Sequence, residues 1–120
     1  PDCFILESKL RERMSIPVFH DDQHGTAIVA GAALVNGLRV VGKIIEEVKL
    51  VSTGGGAAGI ACLNLFVELG VKKENITLVD HVGVVFKGRK KDLTKEKGKY
   101  NTPVHAMGFG LCPPNSCILA

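Results

Sequence analysis

The chain has 120 residues, 46% hydrophobic and 22% charged, with a net charge of +3. That length suits one domain at most, and the composition is that of a soluble globular chain rather than a fibrous or low-complexity one. The positive charge gathers in Lys87, Arg89, Lys90, Lys91, Lys95, Lys97 and Lys99, a run expected to form a solvated, mobile surface segment. Only Phe86 and Tyr100 flank it, so the aromatic interleaving of a nucleic-acid surface is missing and no nucleic-acid partner is expected.

Leu6 to Met14 reads as a helix, with Leu6 and Leu10 on one face. Pro17 to His20 reads as a short buried strand running into Asp21 and Asp22. Gln23-His24-Gly25 then reads as a turn and Thr26 as the N-cap of a largely buried helix from Ala27 to Val41, closed by Gly42. This apolar stretch, interrupted by Asn36 and Arg39, is too short for a bilayer span, and no membrane partner is expected. Val48 to Thr53 is a strand and Ala57 to Leu69 a second apolar helix ending at Gly70, with a further strand from Ile76 to Asp80. His81 to Phe86 suits a small hairpin, and beyond about Thr94 the pattern dissolves.

Strand, glycine turn, helix and strand make one βαβ unit. The expected fold class is therefore α/β: a Rossmann-type βαβ unit with a parallel sheet, an incomplete nucleotide-binding domain. Gly54, Gly56 and Gly59 fit the G-x-G-x-x-G pattern, with Gly55, Ala57 and Ala58 between them. The first glycine makes the turn, the second admits a pyrophosphate to the backbone, and the third lets helix and strand pack closely. The amides of the first helical turn then face the phosphates. Asp80 closes the next strand about 20 residues further on, where a carboxylate can hold the adenosine ribose hydroxyls. Asp80 favours NAD over NADP, although Lys87 and Arg89 would offset it if the hairpin folded over the ribose.

Asp21 and Asp22 offer adjacent hard oxygens of the kind Mg2+ or Mn2+ prefers. The plainer alternative is one aspartate supporting a helix start and one solvated. His20 and His24 have no metal-motif spacing and read as supporting residues. The cysteines are Cys3, Cys62, Cys112 and Cys117, with no Cys-x-x-Cys pair. Reduced thiols of a cytoplasmic protein, Cys62 buried among apolar neighbours, are favoured over a zinc site near His105.

The string Ile16-Pro17-Val18-Phe19-His20-Asp21-Asp22-Gln23-His24-Gly25-Thr26-Ala27, followed by Val48 to Cys62 with its glycine turn, resembles the malic enzymes. In particular it is similar to the bacterial kind that often carries a phosphotransacetylase-like extension. The likeness runs from Pro1 to about Lys91. It implies oxidative decarboxylation of L-malate to pyruvate and CO2 with reduction of NAD or NADP. It also implies a homo-oligomeric parent protein, Asp22 as a divalent-metal ligand, and Asp21 as a catalytic residue beside metal and substrate. A metal there would stabilise the charge developing as CO2 departs.

The resemblance also implies an upstream Glu-Asp pair of metal ligands and a proton-shuttling tyrosine and lysine, which this sequence does not contain. Starting at Pro1, it reads as part of a longer protein and as inactive alone. The expected organisation is the end of a catalytic, metal-binding domain at 1–42, the start of a nucleotide domain at 43–93, and a divergent tail at 94–120. An exposed sheet edge and apolar surface would favour self-association. A non-catalytic nucleotide-binding module is the alternative; a partial product with no function of its own is a third reading.

Overall fold

The computed structural model describes residues 2–100 and the backbone of a strand at Cys117–Leu119. In chain order the elements are helix α1 (Asp2–Arg13), helix α2 (Asp21–Val41), strand β1 (Lys49–Thr53), helix α3 (Ala57–Glu68), strand β2 (Ile76–Asp80), strand β3 (Gly83–Val84) and strand β4 (Cys117–Leu119). Short 3-10 turns occupy Lys73–Asn75 and Lys97–Tyr100. The sheet order is β3-β2-β1-β4. Strand β1 pairs in parallel with β2, Leu50 against Ile76 and Thr53 against Val79. It also pairs in parallel with β4, while β3 returns antiparallel to β2.

The α/β expectation and its parallel βαβ unit, β1-α3-β2, are thus present. Alternation along the strands buries Leu50, Ser52, Ile76 and Leu78 on one sheet face. Helix α3 sends Ile60, Leu63 and Phe66 onto the same core, spaced three apart on one side of the helix. Leu34 and Leu38 of α2 join them, and Tyr100 and Val85 complete the cluster. Cys62 is half-buried against this core, and burial pushes its thiol above the ordinary range.

Several expectations about the N-terminal third are corrected. Residues 17–20 form no strand, and Phe19 is 59% exposed. Pro17 has no N–H to give a sheet. The turn expected at Gln23-His24-Gly25 is helix, because α2 starts at Asp21 with His20 as its N-cap, not at a Thr26 cap. Two carboxylates in the first turn suit the positive end of the helix dipole, which explains the earlier start. Nor is α2 largely buried. Its core stripe is Gln23, Ala27, Gly31, Leu34 and Leu38, while Val29 and Val40 are 71% and 86% exposed.

Gly42 closes α2 in the left-handed region at φ 65°, as expected. By length and composition alone α2 would also serve to cross a membrane, contrary to the sequence reading. Its stripe instead packs on α3. Gly31 sits against Leu65 and Leu69, and Gln23, His24 and Ala27 lie opposite Ala61, Asn64 and Leu65. The two helices therefore run in the same sense, with their N-termini at one end of the unit. Helix α1 buries none of its residues fully and leaves Ile5, Leu6 and Leu10 exposed.

The basic run is not simply solvated. Arg89 and Lys97 are buried, and Lys97 and Tyr100 pin the segment beyond Thr94 to the fold. The expectations for His105, Cys112 and the Cys117 side chain lie outside the described residues.

Candidate functional site

The glycine turn leaves the carboxyl end of β1. Gly54 has φ 108°, a conformation open to glycine but strained for other residues, and its amide donates to the Val79 carbonyl at 2.7 Å. That bond ties the turn to β2. Gly56 caps α3 without any side chain, and the first helical bond runs from the Ile60 amide to the Gly56 carbonyl at 3.0 Å. The amides of Ala57, Ala58 and Gly59 are thus left for a ligand at the positive end of α3. A Cβ on Gly59 would collide with the carbonyl of Gly54, which is the close helix–strand approach the motif requires. These features fit a dinucleotide pyrophosphate.

Asp80 ends β2 beside this turn, and the structure encloses it. Arg89 donates to both of its carboxylate oxygens, at 3.0 and 2.6 Å, and Lys97 donates to one at 2.9 Å. The Val82 amide adds a bond of 2.9 Å. All three charged side chains are under 10% exposed. Arg89 beside it holds the Asp80 carboxyl well below the usual carboxylate range, outweighing the opposing effect of burial, with further help from Lys97 and Val82. Lys97 also donates to Asp92 at 2.7 Å, and its stem lies along Gly55, where a Cβ would come within 2.8 Å of the Lys97 Cε. Burial works against the charge on Lys97, but its bonds to Asp92 and Asp80 raise its pKa on balance. The basic run therefore reaches the glycine turn through Lys97. Nothing in its local sequence distinguishes Lys97 from its neighbours.

Asp21 and Asp22 stand exposed in the first turn of α2, and among the described residues neither carboxylate has a polar partner. Gly25, one turn on, lies directly beneath the Asp21 carboxylate, and a Cβ there would overlap it. What sequence reading took for a turn glycine is a bed for Asp21. Glu7 of α1 holds the flank of this end, receiving Gln23 at 3.2 Å and meeting His24 at 2.6 Å, while Gln23 also meets His20 at 2.6 Å. His24, together with Gln23, thus braces α1 against α2, while His20 bonds within the start of α2.

Asp22 is a suitable hard-oxygen donor, but it is not joined by further ligands from the described residues. The group among them that comes together as potential ligands is Asp80, His81 and Asp92. Its Asp80 is already neutralised by Arg89 and Lys97, which disfavours a cation.

A parallel β-glycine turn-α-β unit with free amides at the helix start and an acidic residue closing the second strand defines a dinucleotide-binding protein of the Rossmann type. The family described as malic enzyme, NAD binding domain, matches residues 23–109, and the chain belongs to it. The match takes in α2 and continues past Thr94, where the sequence reading lost the likeness; buried Lys97 and Tyr100 lie in that added stretch.

The chain is 62% identical over 100 residues to an NADP-dependent malic enzyme of Haemophilus influenzae, and 55% identical to an NAD-dependent malic enzyme of Rhizobium meliloti. Each alignment covers 83% of this chain and 13% of the relative, so the chain spans about an eighth of their length. The crystal structure of the malic enzyme of Entamoeba histolytica superposes with a TM-score of 0.80 at 37% identity, covering 88% of this chain and 23% of that one.

Proposed function

We propose that this chain supplies the nucleotide-binding core and one metal ligand of an enzyme that oxidatively decarboxylates L-malate to pyruvate and CO2, reducing NADP+. One observation carries the reading. The glycine turn and the acidic signature occupy the N-termini of two helices that run in the same sense, so phosphate-binding amides and unpartnered carboxylates share one end of the unit.

In the assembled site the amides of Ala57, Ala58 and Gly59 hold the pyrophosphate, and Gly54, Gly55 and Gly56 let it approach. Asp22 is a ligand to Mg2+ or Mn2+, and Asp21, held over Gly25, lies beside metal and substrate. When bound, the metal supplies a Lewis acid at the malate oxygens and the nicotinamide a hydride acceptor.

The choice of NADP+ over NAD+ departs from the expectation drawn from Asp80 alone. A free carboxylate would repel a 2′-phosphate, but Arg89 and Lys97 neutralise Asp80 and place two cations beside the ribose position. The complete protein is a cytoplasmic homo-oligomer on this reading, supported by the free thiols Cys3 and Cys62 and by the exposed apolar residues of α1 and α2. The 120-residue chain alone carries one metal ligand of the set the family resemblance implies, and it does not turn over malate.

The test is malate-dependent NADPH formation by the complete protein with Mg2+ or Mn2+, with pyruvate assayed in parallel. Equal yields of NADPH and pyruvate are expected. Cofactor binding without turnover would replace this reading with a non-catalytic nucleotide-binding module.

A further inference from the structure

The loop after β3 brings four charged groups together, and they cancel: Asp80 and Asp92 against Arg89 and Lys97. A 2′-phosphate adds roughly two negative charges, so one carboxylate must yield its cation. Asp80 cannot yield easily. Its side chain is 3% exposed and takes both prongs of Arg89, Lys97 and the Val82 amide. Asp92 is differently placed. Its side chain is 38% exposed, and its carboxylate touches Lys97 at 2.7 Å and, more distantly at 3.8 Å, the exposed His81.

The Asp92 backbone stays useful when the carboxylate leaves, because its carbonyl accepts from Arg89 at 3.1 Å and Lys97 at 3.4 Å. Its φ of 51° is the left-handed conformation, held in place by those bonds. A rotation of the side chain toward solvent would therefore free Lys97 without disturbing the loop.

We propose that Asp92 is a built-in occupant of the 2′-phosphate position: its carboxylate sits on Lys97 where a phosphate oxygen would sit, leaves when NADP+ binds, and so sets the preference between NADP+ and NAD+. Asp92 acts through Lys97 and is a positioning residue. NAD+, with a hydroxyl in place of the phosphate, leaves the Asp92–Lys97 pair closed. This rests on the reading that Arg89 and Lys97 face the 2′-phosphate.

The experiment is calorimetric titration of the complete protein with NADP+ and with NAD+, comparing wild type with Asp92→Asn and Asp92→Glu. Asn accepts the left-handed backbone and keeps the size while losing the charge. Asp92→Asn should bind NADP+ on the order of tenfold more tightly and change NAD+ affinity less than about twofold, since a like charge no longer opposes the phosphate. Asp92→Glu should keep the wild-type ratio. If Asp92→Asn does not fold, Asp92→Gly makes the same comparison, because glycine takes φ 51° without strain. Equal shifts for both cofactors, or weaker NADP+ binding, would overturn the role of Asp92 alone, provided wild type prefers NADP+. A wild type that prefers NAD+ would overturn this inference together with the cofactor choice beneath it.

Discussion

Two acidic regions lie in this small unit, and they are built in opposite ways. Asp21 and Asp22 open α2 with their carboxylates exposed and without polar partners among the described residues. Asp80 closes β2 with every oxygen engaged by Arg89, Lys97 or a backbone amide. An unpaired carboxylate at a helix start costs the fold little and is ready for a ligand. An enclosed one contributes to the fold, and its charge is already answered. Both patterns read as aspartate at the start or end of an element, yet only the first suits a metal.

The largest expected effect separates the two regions by activity. On the proposed function, Asp22→Asn in the complete protein should lower kcat/KM for malate by on the order of 100-fold or more, as loss of a metal ligand exceeds the effect of its supporting partners. Its stability should stay within about 0.5 kcal/mol of wild type, because the side chain is exposed. Arg89→Met should instead act on stability and lower the melting temperature by on the order of 10 °C, leaving Asp80 enclosed with a single cation.

The sign of the acid response follows from Asp80. Its folded pKa lies below the unfolded value of 3.8, so the stabilisation is fully present above that value and is lost as pH falls toward the folded one. Melting curves of wild type should therefore fall steeply only below about pH 4, and Arg89→Met should show a weaker acid dependence.

Gly59→Ala should cost about 1–3 kcal/mol through the collision with the Gly54 carbonyl. It should weaken both cofactors alike, as read by calorimetry. Gly25→Ala has a small expected effect on folding and moves stability and activity apart. Alanine inside a helix is worth about 0.5–1 kcal/mol over glycine, while its methyl group displaces the Asp21 carboxylate. Melting temperature should rise slightly while malate turnover falls.

What was legible in the sequence was local. The glycine turn, strand β2 with Asp80 and the cap at Gly42 each rest on a few neighbouring residues, and each lies where the pattern puts it. The start of α2 was misread because a glycine after a histidine looks like a turn, whereas Gly25 serves a side chain one helical turn away. The partners of Asp80 were harder still. Lys97 follows it by 17 residues within a run of equivalent lysines, and only tertiary packing selects which one is buried. The bracing of His24 by Glu7 likewise spans two helices, with no fixed spacing to reveal it.

The measurement that tests the contrast most directly is Mn2+ binding to the complete protein, titrated in wild type, Asp22→Asn and Asp92→Asn. Saturable binding that is lost in Asp22→Asn and kept in Asp92→Asn is the predicted result. Binding that survives Asp22→Asn but disappears in Asp92→Asn would place the metal at the Asp80, His81 and Asp92 group, and the carboxylates paired with Arg89 and Lys97, not the unpartnered ones, would be the metal's ligands.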